Sequence, residues 1–197
     1  MPLPAPQTRK LLTRRIVNCE GYLREDGALE VEGHLRDSKG HDHSYGWRSS
    51  IPAGGPIHEM WVRMTLNAEL TILAVAASVD AAPYPSCPHI VPNLERLVGL
   101  KVAGGFRQRL RELVGGTQGC THVVTLLEAM ANNAVQTSAS SVRERGLEAV
   151  LETFGVRDRS KHPLLNTCFS YAEEGPVVAR LWPHLHRPKS DEGTGPS

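Results

Sequence analysis

The stretch IHEMWVRMTL, residues 57–66, carries the clearest pattern in the 197-residue chain, because apolar and polar side chains alternate along it. In an extended chain one face would carry His58, Met60, Val62, Met64 and Leu66. Strict alternation is typical of a half-buried β-strand, so the stretch predicts a strand with one face in the core. His58 is then the polar member of an apolar face.

Further patterns place this strand in a sheet of hairpins. A turn at 67–69 and an apolar run at 70–79 predict a partner strand, and residues 20–37 carry a second hairpin signal with its turn at 25–27. A last hairpin is expected around 174–175. Helical patterns cover 92–98, 105–114, 120–136 and 141–154. Strands early and helices late predict an α+β fold, a small antiparallel sheet of hairpins packed against C-terminal helices.

Composition indicates a soluble globular protein, since 40% of the residues are hydrophobic and 22% are charged. We expect a flexible arm at 1–15, a single α+β domain at 16–186 and a disordered tail at 187–197. Residues 38–56 are rich in Gly, Ser, Pro and His and predict a long loop. The net charge of +1 gives no reason to expect nucleic acid or a membrane surface as a partner.

The N-terminus and the cysteines bear on the location of the protein. Prolines stand where a secretory signal would need an apolar core, and no apolar stretch approaches the roughly 20 residues that span a bilayer. We therefore expect a cytoplasmic protein. In a reducing compartment, cysteines are free thiols or metal ligands rather than disulfides. The four are Cys19, Cys87, Cys120 and Cys168.

A second informative stretch is GGTQGCTHVV, residues 115–124, which opens a predicted helix. The unpaired N–H groups and the positive dipole end of a helix start stabilise a thiolate, the form of Cys120 that binds metals and attacks electrophiles. His122 can reach the same ion, because the first turn is only partly committed to helical geometry. The plainer interpretation is a buried cysteine that packs well, with His122 capping the turn.

Two further residues make a metal site the better interpretation. Cys87 lies in a Pro-Ser-Cys-Pro loop after a strand, and His58 lies at a strand start. Core packing explains each residue alone, but His58, Cys87 and Cys120 together form an N/S/S set suited to Zn²⁺ or iron. Candidates for the fourth ligand are His122, Cys168, Asp80 and a water molecule. Asp37 could orient a ligand through an outer hydrogen bond.

Catalysis at such a site needs a proton carrier within hydrogen-bond reach of the substrate. The acid–base candidates are Glu59, Tyr84 and His122. The loop at 38–56 would then serve as a lid over the site. An open metal position would mark the site as catalytic rather than structural.

The run that begins IHEMWVRMTL, continues through DAAPYPSCPH and ends VGGTQGCTHVVTLLEAMANNAV resembles the layout of NifU/IscU-type iron–sulfur scaffold proteins. The resemblance covers about residues 57–136, rests on the order and spacing of the ligand-bearing segments, and implies a NifU/IscU-like core. Carried over by position, the family's three cysteine ligands fall on His58, Cys87 and Cys120. Its acidic residue falls on Met60, so that role is lost or passes to Glu59. The resemblance implies an iron–sulfur cluster as the alternative cofactor.

Nearly the whole chain also resembles a bacterial family of unknown function. The family's hallmarks read here as EGHLRDSK, GGPIHEMWVRMT, DAAPYPSC and GCTH. This resemblance implies no activity, beyond an association with the breakdown of aromatic compounds.

These observations lead to three hypotheses for function. The first is a metal-dependent enzyme, a lyase or hydrolase that acts on a small organic substrate with one Zn or Fe ion. The second is an iron–sulfur cluster or metal carrier, and the third is a non-catalytic protein with a structural metal. Mixed His and Cys ligation favours the enzyme, because a scaffold would keep its all-sulfur ligands and its acidic residue. Besides the substrate, the one partner left open is a second copy in a homodimer.

Overall fold

The computed structural model describes residues 3–153, 162 and 164–188. The chain divides into two compact units, Met1–Glu144 and Arg145–Ser197. The first unit contains the sheet and the candidate site. A single domain at 16–186 stays a prediction, because a division into compact units does not test whether the parts fold independently.

The described residues of the first unit form six strands. They are β1 (Thr13–Leu23), β2 (Leu29–Lys39), β3 (His43–Tyr45), β4 (Arg48–Ile51), β5 (Pro56–Leu66) and β6 (Ile72–Ala81). Four of them form an antiparallel sheet in the order β1-β2-β5-β6, and β3 pairs with β4 in a separate two-stranded sheet. The antiparallel sheet expected from the sequence is therefore confirmed.

The strand β5 has the alternation that its sequence predicts. Its buried side chains include Met60, Val62, Met64 and Leu66. Trp61 and Arg63 between them are exposed. β2 alternates in the same way, with Leu29, Val31 and Leu35 buried. One face of the sheet is therefore apolar, and the hydrophobic effect drives a helix to cover it.

The longest helix of the first unit packs on this apolar face. A 3₁₀ segment at Cys87–Leu97 and the helix α1 (Phe106–Val114) precede the long helix α2 (Thr121–Ser140). α2 packs against β1, β2 and β5 and passes directly over Gly33 of β2. Its buried side chains include Val123, Leu126, Leu127 and Met130. Together with the sheet, these helices confirm the α+β class.

The structure of the first unit differs from two expectations. β1 begins at Thr13, inside the segment at 1–15 that the sequence predicts as an arm. The segment at 38–56, predicted as a loop, holds the end of β2 and the β3–β4 hairpin. Its strands are only three and four residues long, so its polar composition hides them.

The helix expected at 141–154 is interrupted. α3 (Val142–Arg145) ends before Gly146, and α4 (Leu147–Thr153) begins after it. Gly146 has a φ of +84°, in the left-handed region that a continuous helix does not use. The end of the predicted helix lies outside the described residues.

The regular elements of the second unit are all helical in its described part. After α4 come a 3₁₀ turn at Phe169–Tyr171, the helix α5 (Pro176–Leu181) and a 3₁₀ turn at Pro183–Leu185. The hairpin predicted around 174–175 is therefore wrong. Proline lacks an N–H and has a fixed φ, which suits the first turn of a helix, and Pro176 takes that position.

None of the described helices is both long and apolar enough to cross a bilayer. The tail predicted at 187–197 lies outside the described residues from position 189 onward.

Candidate functional site

Three neighbouring strands place Arg15, Asp37 and His58 in one row across the sheet. The pairing sets Arg15 of β1 opposite Asp37 of β2, and Asp37 opposite His58 of β5. Directly opposed side chains lie on the same face of a sheet, so the three groups meet. The Arg15 guanidinium donates two hydrogen bonds to Asp37, from Nε to Oδ1 at 2.7 Å and from Nη2 to Oδ2 at 2.8 Å. Nδ1 of His58 lies 3.1 Å from the same Oδ2.

The start of α2 adds two groups to this row. Cys120 is the N-cap residue of α2, and His122 lies in its first turn. Nε2 of His122 lies 3.6 Å from Oδ2 of Asp37, and its ring stacks on that of His58 with centroids 3.7 Å apart. Nδ1 of His122 lies 3.4 Å from Sγ of Cys120. His122 therefore stands between a thiol and a carboxylate.

Asp37, His58 and His122 have the spacing of metal ligands. One ligand atom of each lies within 4.8 Å of the others, and no other such group of His, Cys, Asp or Glu occurs among the described residues. Bonds of about 2.0–2.2 Å place the ligand atoms of a tetrahedral ion about 3.4 Å apart. The separations of 3.1 and 3.6 Å at Oδ2 of Asp37 bracket that value. Two imidazoles and one carboxylate suit Zn²⁺ or Fe²⁺.

Charges around Asp37 keep this carboxylate ionised. Burial raises the pKa of Asp37, but the hydrogen bonds and charge of Arg15 outweigh burial and hold the pKa below its ordinary value. Burial lowers the pKa of His58 and outweighs the opposite effect of Asp37. The neutral His58 imidazole donates its Nδ1–H to Asp37. A metal ion between the two groups would replace that proton, as metal binding generally does.

The Cys120 thiol has a favourable environment for its ionised form. Burial raises its pKa, but the hydrogen bond with His122 and the backbone N–H groups of Val123 and His122 together bring the pKa below the ordinary value. Cys19 contrasts with Cys120, because burial raises the pKa of Cys19.

A cleft of about 320 Å³ opens beside Asp37 and His58. Residues of β1, β2, β3 and β5 line it, among them Arg14, Lys39, Tyr45 and Ile57. Tyr45 belongs to the β3–β4 hairpin, which replaces the predicted loop. Tyr84, an acid–base candidate, lies next to Tyr45, with ring centroids 6.3 Å apart. Because Tyr45 lines the cleft, Tyr84 lies next to the cleft wall.

The structure brings together some of the predicted metal ligands. His58 and His122 lie in the ligand-spaced group, and Cys120 contacts His122 without joining that group. Cys87 begins the 3₁₀ segment, where its N–H donates to the carbonyl of Tyr84, and it is outside the group. Cys168 is an exposed residue of the second unit and is also outside the group.

Glu59, the remaining acid–base candidate, lies on the other face of β5. Its Oε1 lies 3.3 Å from Nε2 of His34 and 3.6 Å from Nε of Arg36. Because side chains alternate along a strand, Glu59 points away from its neighbour His58. The structure therefore does not bring Glu59 to the candidate site.

Sequence reasoning gives Asp37 only an orienting role and does not single out Arg15. A signal for Asp37 exists, since it continues the period of two set by the buried Val31 and Leu35 of β2, where charged residues are rare unless paired. The signal for Arg15 lies only in the pairing of β1 with β2. The place of both residues in the site depends on the strand register, which the sequence pattern does not determine.

The lowered pKa of His58 predicts how stability depends on pH. A histidine whose pKa is lower in the folded than in the unfolded protein stabilises the fold above the unfolded value of about 6.5, and this contribution is lost as the pH falls through the folded pKa. We expect metal-free protein to lose urea stability on acidification across that range. His58→Gln should lose less stability than the wild type over this pH range, and the His41→Gln variant, changed at an exposed position, should lose as much as the wild type. Equal losses in all three proteins would contradict the assignment.

A protein-family model matches residues 13–136, and its description is "Protein of unknown function (DUF2889)". No curated protein and no solved structure matches the chain significantly, so the resemblance to NifU/IscU-type scaffolds finds no support there. The matched segment begins with β1 and ends within α2. It contains the whole row from Arg15 to His122.

Proposed function

The chain belongs to this family of unknown function, and from that premise we propose that it is a metal-dependent enzyme acting on a small organic substrate. Asp37, His58 and His122 hold one Zn or Fe ion. The supporting observation is the spacing of their ligand atoms, all within 4.8 Å of one another. The proposal includes a cytoplasmic location, which the four free cysteines favour.

A set of three protein ligands suits catalysis better than structure. Structural zinc sites are almost always closed by four protein ligands, whereas catalytic sites keep a position for water or substrate. The adjoining cleft gives a small molecule access to that position. When bound, the ion would act as a Lewis acid on a substrate oxygen, which is the chemistry of a hydrolase or lyase.

The other residues of the site have roles that follow from their contacts. Arg15 holds both oxygens of Asp37 and so fixes the orientation of this ligand. Cys120 lies at hydrogen-bond distance from Nδ1 of His122 and fixes the orientation of that ring. Tyr84, beside the cleft wall, is the remaining candidate for proton transfer to the substrate.

One observation favours a second candidate, a thiol enzyme. Cys120, His122 and Asp37 follow one another at 3.4 and 3.6 Å, the order of nucleophile, base and carboxylate found in catalytic triads. An iron–sulfur carrier has less support, because no cysteine belongs to the ligand-spaced group of the described residues. A non-catalytic protein with a structural metal would have the same ligands as the enzyme. It would differ only in not using the cleft to bind a substrate.

Elemental analysis tests the proposal. We expect about one zinc or iron per chain in protein purified under nitrogen without an affinity-metal step. His58→Ala and His122→Ala should lose the metal, whereas His41→Ala, in the exposed turn before β3, should keep it. The protein reloaded with Co²⁺ should lack thiolate-to-metal charge-transfer bands, because nitrogen and oxygen bind the ion.

The outcomes separate the candidates. Strong charge-transfer bands that disappear in Cys120→Ser would make Cys120 a ligand and overturn the set drawn here. A brown protein with sulfide would favour the iron–sulfur carrier. Protein free of metal would end the metal proposal and leave the thiol enzyme.

A further inference from the structure

We propose that the cleft beside Asp37 and His58 binds the carboxylate group of a small organic acid through Lys39. The inference rests on the proposed function only in treating this acid as the substrate. The binding site itself depends on the cleft and its charges, whatever occupies the metal ligands.

The charges of the cleft favour an anion. Three cationic residues line it, Arg14, Arg15 and Lys39, against the single carboxylate of Asp37. Arg15 is committed to Asp37 by two hydrogen bonds. Arg14 alternates with Arg15 along β1, so its side chain belongs to the other face of the strand. Lys39 shares the face of Asp37 and has no carboxylate partner within the described residues, so it remains to attract an anion into the cleft.

The position of Lys39 makes it the principal contact. Lys39 ends β2, two residues after Asp37, and pairs with Thr13 of β1. Its Nζ lies 3.1 Å from Nε2 of His43 and 5.9 Å from the ring centre of Tyr45. These neighbours carry no negative charge, so they hold the ammonium at the wall without neutralising it.

The remaining lining favours an organic anion over a mineral one. Tyr45 and the buried Ile57 give the cleft an apolar wall near the cations. Inorganic phosphate would gain nothing from this wall, whereas the carbon skeleton of an organic acid would bury apolar surface against it. A volume of about 320 Å³ suits a small molecule. The same acid would lie next to His58, within reach of the proposed metal position.

Calorimetric titration with benzoate, benzamide and inorganic phosphate tests this assignment, on protein as purified and on protein treated with a chelator. Benzamide has nearly the shape of benzoate but no charge. We expect benzoate to bind both protein samples at least about tenfold more tightly than benzamide or phosphate, a difference of about 1.4 kcal/mol. Binding should weaken with added salt, because exposed charges carry it.

Two variants assign the contact. Lys39→Met keeps the aliphatic stem and should weaken benzoate binding at least about tenfold. Lys101→Met, at an exposed lysine far along the chain after β6, is the matched control and should bind like the wild type. Circular dichroism establishes that each variant is folded.

Equal binding of benzoate and benzamide, or unchanged benzoate affinity in folded Lys39→Met, would overturn the carboxylate site. Phosphate binding as tight as benzoate would overturn the organic part of the assignment. Benzoate preference in protein that contains no metal as purified would leave this inference standing while the metal proposal fails. Bound metal without benzoate preference would overturn this inference and leave the metal proposal standing.

Discussion

Asp37→Asn is expected to weaken the binding of Zn²⁺ by at least about 100-fold. The substitution keeps the size of the side chain but removes the only negative charge of the proposed ligand set. Loss of an outer hydrogen-bond partner already costs about 10–100-fold in metal affinity, so loss of a direct ligand should cost at least the upper end of that range. The asparagine also leaves the Arg15 guanidinium without a counter-charge beside the ion, which adds repulsion.

Competition with a chromophoric chelator measures this affinity. The matched control is Asp26→Asn, at the turn of the same β1–β2 hairpin, where the side chain contacts Arg24 and the N–H of Ala28. It should bind Zn²⁺ like the wild type. His122→Ala removes a ligand that lies on α2 instead of β2. Loss of Zn²⁺ binding in this variant as well would show that the effect of Asp37→Asn is not a local disturbance of β2. Wild-type affinity in Asp37→Asn, together with loss in His122→Ala, would show that the carboxylate is not a ligand.

The elements of the fold with a strong period could be predicted from the sequence. The alternation of β5 and the apolar stripe of α2 each identify one element and its buried side. α5 could not be predicted in this way, because its six residues are too few for a helical period to show. There the decisive signal was local, the proline at the first turn after Gly175, and the hairpin interpretation overlooked it.

The candidate site could be predicted only in part, for a related reason. His58 and His122 are unusual at their own positions, one on an apolar strand face and one at a helix start, so local reasoning finds them. Asp37 and Arg15 become important through the register that sets β1, β2 and β5 side by side. Register follows from packing across the whole sheet, and a one-residue slip would turn Asp37 to the other face.

Cys87 is a predicted ligand that the structure leaves outside the ligand-spaced group. Its Pro-Ser-Cys-Pro surroundings suggest a thiol held for binding, but the structure uses the segment to begin a 3₁₀ turn, with the N–H of Cys87 bonded to Tyr84. A cysteine near a strand end is compatible with both outcomes. Only the positions of the other ligand atoms distinguish them, and these place a carboxylate, not a thiol, beside the two histidines.

Gly119→Ala is expected to destabilise the fold and to disturb the site at the same time. Gly119 immediately precedes Cys120, at the point where the chain returns past the end of α1. A Cβ at this position would overlap the carbonyl oxygen of Val114 and come within 2.8 Å of its carbon. Backbone atoms cannot yield as a flexible side chain does, so α1 and the start of α2 must separate. We expect a loss of about 3 kcal/mol in the free energy of unfolding, the upper end for an overpacked site.

Urea denaturation measures the stability of Gly119→Ala, and chelator competition measures its metal affinity. Gly104→Ala is the matched control, since a Cβ there meets nothing within 4 Å and its φ is not positive. Its stability should stay within about 0.5 kcal/mol of the wild type. Because the displaced turn carries both Cys120 and His122, Gly119→Ala should also bind Zn²⁺ more weakly under conditions in which it remains folded. Unchanged affinity in the folded variant would mean that the ligand set does not depend on where α2 begins, which contradicts a site that includes His122.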